Sequence, residues 1–391
     1  MSKVRMGLVG GGPGAFIGDV HRMAARIDGE IELVCGAFSS QPEKSTEAGR
    51  ALYLPTSRVY ESYIKMFEAE AKLPAEERME FVAIVTPNHL HYPIAIAALE
   101  AGFHVMCEKP ATFTLQESLL LKATIEKTSL LFGVTHTYTG YPIVHEARER
   151  VARGDLGKIT KVLVEYNQGW LADSEAEASK QASWRIDPKQ AGISCCMGDI
   201  GVHAANLAET ITGSNITRVL ADLAAVVPGR QLDDDGSVLL RFENGARGVL
   251  VASQISVGEE NNLTIRVYGT KGGLEWHQMN PNTLTLKWAD KPAETVRAGW
   301  GYLGNTAQHN TRTPAGHPEG YLEAFANLYT NFSVAVKQAR TNKGSGITPI
   351  EGVPGIEDAI NGMAFIQAVV TSSADGNVWL DIDKVIANAQ Q

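Results

Sequence analysis

The 391-residue chain reads as an α/β protein in two parts. A doubly wound parallel sheet is expected over residues 1–138, followed over 139–391 by an α+β domain with a large, mostly antiparallel open sheet. Three observations predict this. Short apolar runs alternate with helical periodicity through the first third of the chain, the rhythm of βαβ units. Glycines crowd the junction between the first strand and the first helix. After residue 140 strand patterns follow one another with only turn residues between them. The length also exceeds what one ordinary core organises.

In order, "KVRMGLVGG" is a buried strand, "DVHRMAARI" a helix and "IELVCGAFS" a second strand. "YESYIKMFEAEAKL" is helical, and "KLPAEERM" is a surface insertion before the uninterrupted apolar strand "EFVAIVTP". "HYPIAIAALEAG" is a helix stopped by Gly102, a residue suited to the C-terminal turn. "FHVMCEKP", the helix "TLQESLLLKATIEKTS" and "LLFGVTHTY" complete the first part. The second opens with the helix "PIVHEARERVARGDLG" and continues through the strands "KITKVLVEYNQGW", "ITRVLADLAAVV", "GSVLLRFENGARGVLVASQI", "NLTIRVYGTKGGLEW" and "NTLTLKW". Asn-Gly inside "RFENGARG" is a strong hairpin signal. Two helices, "YLEAFANLYTNFSVAVKQA" and "GIEDAINGMAFIQAVVTSSADG", and a strand in "NVWLDI" end the chain.

A formal charge of −9, with no basic block, excludes a nucleic-acid backbone as partner. No apolar run approaches the ~20 residues of a membrane span, and the N-terminal run is too short for a signal-peptide core. A cytoplasmic protein is expected. Cys35, Cys107, Cys195 and Cys196 have no metal-site spacing and read as buried thiols. His89 and His91 alternate beside prolines with no thiolate or carboxylate close by in sequence, so no metal is expected.

Gly10, Gly11, Gly12, Gly14 and Gly18 stand between strand and helix, where glycine allows a tight turn and the approach of backbone N–H groups to a pyrophosphate. Pro13, Ala15 and Phe16 line the same turn. Gly10 and Gly12 fill the first two positions of the fingerprint; the third falls to Ala15 or Gly18. A nicotinamide dinucleotide is the expected cofactor. At the end of the second strand Ser39 and Ser40 stand where an NAD-selective site usually carries an acid, and Lys44 is the nearest cation. Hydroxyls bond a ribose without repelling a 2′-phosphate, so NAD or NADP fits, with NAD slightly favoured.

In "GDIGVHAANLAETITG", Asp199 and His203 lie four residues apart at the mouth of a helix, on one face. Asp199 reads either as an N-cap beside a surface histidine or as the partner of a working imidazole. The spacing alone leaves both open.

The glycine loop, "CEKPATFT" and "MGDIGVH", jointly and in this order, resemble the Gfo/Idh/MocA oxidoreductases, which include glucose–fructose oxidoreductase, inositol dehydrogenases and other sugar dehydrogenases. The resemblance covers nearly the whole chain. It implies a Rossmann first half, with Thr86, Pro87, Asn88 and His91 along the cofactor beside Glu108. It also implies that Lys109 contacts substrate and nicotinamide, and that Asp199 accompanies His203, the family's usual proton acceptor. "WRIDPKQAG" and "GHPEGYLEAFANLY" look like segments of members acting on pyranosides or cyclitols, which makes Arg185 and His317 candidate substrate contacts. Tyr138 and Tyr166 read either as packing residues or as cleft-wall aromatics, with substrate contact one alternative, and Trp170, Trp184 and Trp300 either stack on a sugar face or sit in the core or an interface.

The chemistry agrees with that assignment. Oxidising a secondary alcohol removes a proton from oxygen as a hydride leaves carbon, and imidazole has the pKa for the first task. An ammonium at Lys109 favours developing alkoxide charge. The expectation is an NAD(P)-dependent oxidoreductase of a sugar, glycoside or inositol-like cyclitol, its site in the crevice between the domains. The alternatives are an NAD-requiring glycoside hydrolase of the same family and a catalytically silent sugar or dinucleotide sensor. Strands such as "LLRFENGARGVLVASQI" read as apolar on both faces, so subunits are expected to pack sheet against sheet as a homodimer or homotetramer.

Overall fold

The computed structural model describes residues 2–173, 180–341 and 349–390. The chain divides into two compact units. One holds Met1–Thr135 and Phe325–Ile360, the other His136–Ala324 and Asn361–Gln391. A single boundary at 138 is therefore corrected: the division falls three residues earlier and the chain returns to the first unit later.

In the first unit the strands β1 (Val4–Gly10), β2 (Ile31–Ala37), β3 (Phe81–Val85), β4 (His104–Cys107) and β5 (Phe132–Val134) form a parallel sheet in the order β2-β1-β3-β4-β5. The order reverses after β1, the arrangement that opens a ligand crevice at the strands' C-terminal ends. All five β3 residues are buried, as a strand covered on both faces requires. The helices are α1 (Phe16–Ile27), α2 (Pro42–Ala51), α3 (Tyr63–Glu70), α4 (His91–Glu100) and α5 (Leu115–Thr128). Gly102 adopts φ +89° just beyond α4. Thr114 and Glu117 form a reciprocal capping box at the start of α5. The polar helix α2 carried no apolar stripe to announce it.

The returning segment completes this unit's core. Phe325, Tyr329, Phe332 and Val336, three or four residues apart on one helical face, are all buried. Phe332 meets Phe81 of β3 at a centroid distance of 5.3 Å, and Val134 N–H donates to the Pro354 carbonyl at 2.8 Å.

In the second unit α6 (Pro142–Ala152) precedes β6 (Ile159–Asn167). Two short helices, α7 (Lys180–Ser183) and α8 (Pro188–Ala191), lead to an i→i+5 turn at Met197–Gly201 that runs straight into α9 (Val202–Thr212). Then come β7 (Ile216–Ala224), β8 (Asp235–Phe242), β9 (Arg247–Ser253), β10 (Asn262–Gly269), β11 (Gly272–His277), β12 (Thr283–Trp288), β13 (Glu294–Arg297), α10 (Asn305–His309), α11 (Tyr321–Ala339), which from Phe325 on belongs to the first unit, α12 (Ile356–Ala374), which belongs to the second from Asn361 on, β14 (Leu380–Asp381) and α13 (Ile382–Ala389). The nine strands order β13-β12-β11-β10-β6-β9-β8-β7-β14, antiparallel except for β6 beside β9. Gly245, at φ +86°, turns the chain between β8 and β9 as the Asn-Gly signal requires.

The less buried face of β8 and β9 mixes Ser237, Arg241 and Arg247 with Leu239, Val249 and Val251, so these strands are not apolar on both faces. Across β7, β8, β9 and β6 the less buried face instead carries three rows in register. Arg218, Arg241, Arg247 and Lys161 form a cationic row; Leu220, Leu239, Val249 and Leu163 an apolar one; Asp222, Ser237, Val251 and Glu165 a row acidic at both ends.

Candidate active site

The loop after β1 is shaped by close backbone approaches. Gly10, Gly11 and Gly14 take φ of +91°, +69° and +76°. A Cβ on Gly18 would lie 2.4 Å from Gly11 Cα, so loop and helix touch there and Gly18, not Ala15, makes the close packing contact. A Cβ on Gly12 would lie 2.7 Å from the Phe38 carbonyl oxygen. At the start of α1, Ala15 offers no side-chain cap to the first-turn amides, which leaves them for an anion. Pro13 and Phe16 are exposed and Ala15 is half-buried. Ser39 is half-buried, its Oγ accepting from Gln41 N–H at 3.1 Å, while Ser40 and Lys44 are exposed.

Beyond β3, Thr86 Oγ1 is buried with no hydrogen-bond partner. Pro87 is half-buried and Asn88 buried. His91 is 0% exposed; its Nδ1 lies 2.7 Å from the Pro110 carbonyl and its Nε2 2.8 Å from that of Thr86. Burial lowers its pKa against the pull of those two carbonyls. With both nitrogens on backbone, His91 braces the ends of two neighbouring strands, a role different from the direct cofactor contact expected of it.

Lys109 follows β4 and precedes Pro110 through a cis peptide bond. Beside it, Glu108 is 8% exposed. Its Oε1 accepts from His21 Nε2 at 2.9 Å and from Thr135 Oγ1, and its Oε2 accepts from Lys109 N–H at 3.2 Å. Burial pushes the carboxyl up, but the hydrogen bond and charge of His21, then Lys109 and Thr135, outweigh it and hold it down at about 2.

In the second unit Asp199 lies inside the i→i+5 turn and is not an N-cap. Its Oδ2 accepts from Arg185 Nε at 3.2 Å and from Gln254 Nε2 at 3.0 Å. The Arg185 guanidinium lies over the Trp184 ring at 4.3 Å and over the Trp170 ring at 5.9 Å. Asp233 anchors the approach to the turn, accepting from Cys195 N–H, Met197 N–H and Ser194 Oγ at 2.9–3.0 Å. Such turns recur at functional sites.

His203, 8% exposed, opens α9. Its Nδ1 lies 3.3 Å from His136 Nδ1, and its ring meets Tyr138 edge-on at 4.9 Å and Tyr166 at 6.4 Å. The two phenol oxygens are hydrogen-bonded to each other. Asn261 Nδ2 donates to Tyr138 at 3.0 Å, and Asn261 Oδ1 accepts from Tyr166 and from Gln168 Nε2, both at 2.7 Å. Burial, with Tyr138 adding to it, raises the Tyr166 phenol well above its usual pKa, so it stays neutral.

Residues 4–136 match the oxidoreductase family with an NAD-binding Rossmann fold, and residues 144–275 match the GFO/IDH/MocA C-terminal domain. The chain belongs to the Gfo/Idh/MocA oxidoreductase family. Its first unit is an NAD-binding Rossmann domain, and it is a dehydrogenase by family. An uncharacterized oxidoreductase of Bacillus subtilis, YfiI, is 35% identical over 97% of this chain and 96% of its own. An inositol dehydrogenase homolog from Azotobacter vinelandii, solved with NAD+, superposes with a TM-score of 0.93 at 34% identity, covering 97% of both chains. Levoglucosan dehydrogenase of Pseudarthrobacter phenanthrenivorans is 28% identical over 75% of this chain and 78% of its own.

The loop fits the dinucleotide this family binds: bare backbone at Gly12, uncapped amides on α1 and an unpartnered Thr86 hydroxyl all face that need. The structure brings together Arg185 with Asp199 and Tyr138 with His203. His317 instead lies exposed on a loop, its Nδ1 3.2 Å from the Pro314 carbonyl. Sequence reading missed His136, Gln168, Gln254 and Asn261, which no motif marks, and His21, which the helix pattern absorbed. Among the described residues no cluster of three or more His, Cys, Asp or Glu could hold a metal, and all four cysteines are buried. No helix there is long and apolar enough to cross a membrane.

Proposed function

We propose that the protein is an NAD-dependent dehydrogenase of a secondary alcohol in a sugar, glycoside or cyclitol, with His203 as proton acceptor and Lys109 and Asp199 as its partners. The observation that carries this is the setting of His203: an imidazole against two neutral phenols that join an amide lattice of Asn261 and Gln168. Phenols and amides both donate and accept, which suits the uncharged hydroxyls of a polyol.

When bound, nicotinamide supplies the hydride acceptor. The protein's own groups handle the proton. His136 Nδ1 lies 3.3 Å from Nδ1 of His203 and helps hold the ring, and the imidazole receives the proton from the substrate oxygen. Asp199, held by Arg185 and Gln254, orients substrate and favours the imidazolium that forms. Lys109 stabilises the developing alkoxide as an ammonium. His91 and Glu108 keep that lysine's backbone in place. Ser39 and Ser40 favour NAD with NADP tolerated.

The three rows on the second unit's sheet support a two-fold dimer. Like charges side by side in one row disfavour each other. A two-fold axis along the apolar row would set each cationic row against the partner copy's acidic ends. Light scattering should therefore show a dimer or tetramer that Leu239→Glu dissociates; a monomeric wild type at micromolar concentration would sink this.

A panel of monosaccharides, glycosides and inositols, followed by the near-ultraviolet absorbance of reduced nicotinamide with NAD and NADP in parallel, tests the activity. Turnover of a polyol with net reduction is expected. Glycoside cleavage without net reduction would mean the hydrolase reading, and binding without turnover the sensor.

A further inference from the structure

His21 lies on the buried face of α1, is 0% exposed, and is used by nothing in the mechanism above. Its Nε2 is 2.9 Å from Glu108 Oε1 and its Nδ1 is hydrogen-bonded to the Tyr329 hydroxyl on α11. The ring is fixed edge-on against Phe325 at 4.7 Å and Tyr329 at 5.7 Å. Residues 21, 108, 135 and 329 come from four separate segments to make this cluster. A carboxylate only accepts hydrogen bonds, which settles the directions: Nε2–H of His21, the hydroxyl of Thr135 and the backbone N–H of Lys109 all donate to Glu108. The chain of polar groups thus ends on the peptide that carries Lys109.

A structural role alone explains this poorly. An ionised carboxylate so deeply placed is expensive to desolvate, and an apolar cluster of similar volume would join α1 and α11 to the sheet at no such cost. We propose that His21 and Tyr329 are positioning residues: through Glu108 they fix the backbone that presents Lys109 to the substrate. This rests on the reading of Lys109 as a catalytic group. Displacing a reacting group by about an ångström can lower a rate on the order of a hundredfold, so a loosened Glu108 should be visible in turnover.

The test uses the full-length enzyme with its best polyol substrate. It measures kcat, polyol KM, NADH affinity by fluorescence and the melting temperature. His21→Leu should lower kcat by about tenfold or more and leave NADH affinity within twofold. His21→Gln, whose amide can still donate toward Glu108, should recover most of the loss. Tyr329→Phe should lower kcat by a smaller factor. In a Lys109→Met background, His21→Leu should add no further loss, because both changes act on the same group. Should His21→Leu fail to fold, Tyr329→Phe carries the test, with its loss expected to vanish in the Lys109→Met background. Wild-type kcat in His21→Leu or Tyr329→Phe, or an equal additional loss without Lys109, overturns the positioning role while Lys109 keeps its own. Wild-type turnover in Lys109→Met alone overturns the catalytic reading of Lys109 and this proposal with it.

Discussion

In the first unit the groups proposed to serve cofactor and lysine are largely main chain: the amides after Gly12, the carbonyls of Thr86 and Pro110 that hold His91, the N–H of Lys109 on Glu108. In the second unit the proposed site is built instead from side chains, drawn from residues 136, 138, 166, 185, 254 and 261. The two constructions fail differently. A main-chain site is intolerant of an added methyl group wherever backbones touch, whereas a side-chain site is intolerant of losing the one group that reacts and forgiving of the lattice around it. The contrast also separates binding from chemistry, so variants of the two kinds should move different constants.

The largest effect belongs to His203. His203→Ala should lower kcat by about 10² or more, the scale of positioned acid–base catalysis, and leave NADH affinity unchanged. Near-normal turnover at saturating polyol would move proton transfer to another group and remove the contrast at its centre. Next comes the acid stability of the first unit. The Glu108 carboxyl is held at about 2 in the fold against an ordinary 4.5. It therefore contributes stability above pH 4.5 that is lost as pH falls from there through about 2. The contribution is on the order of 3 kcal/mol. Urea unfolding across that range should show the loss in wild type and a flatter profile in Glu108→Gln; parallel profiles would deny the carboxylate this part.

Gly12→Ala should weaken NADH binding by about tenfold, near 1.4 kcal/mol, because its methyl group would press on the Phe38 carbonyl. Its polyol-dependent chemistry at saturating cofactor should survive; intact affinity would mean the loop yields, and the rigidity assigned to main-chain sites would be wrong. The smallest effect is expected of Ser39→Asp, a severalfold shift in preference toward NAD, read as the ratio of kcat/KM for the two cofactors. An unchanged ratio would place Ser39 away from the ribose.

The same contrast governs what could be read from the residues. Glycines and apolar strands are contiguous in sequence, so the parallel sheet and its loop were legible, and the Glu-Lys-Pro run carried the resemblance that proposes Lys109. The Asp199–His203 pair was visible as a spacing, but its geometry was not: an extra residue in the turn is a main-chain detail that no side-chain type announces, and Asp199 bonds Arg185 and Gln254, fourteen and fifty-five residues away. His21 was hidden for another reason. It sits where an amphipathic helix shows its core face, and periodicity cannot tell a buried imidazole from a packed one with a partner. Short elements escaped too: β13 has four residues with one buried, too few for an alternation to register.

The return of residues 325–360 to the first unit has a consequence for biosynthesis. When residue 135 leaves the ribosome the parallel sheet has all its strands but not its lining, because Phe81 still awaits Phe332 and Val134 still awaits the Pro354 carbonyl. Nearly two hundred residues of the other unit must be translated first, and at about 5–20 residues per second that is an interval of roughly ten seconds or more. Throughout it the nascent dinucleotide-binding half presents an apolar patch that its own chain cannot yet cover. The segment that closes the core is made after almost everything it protects.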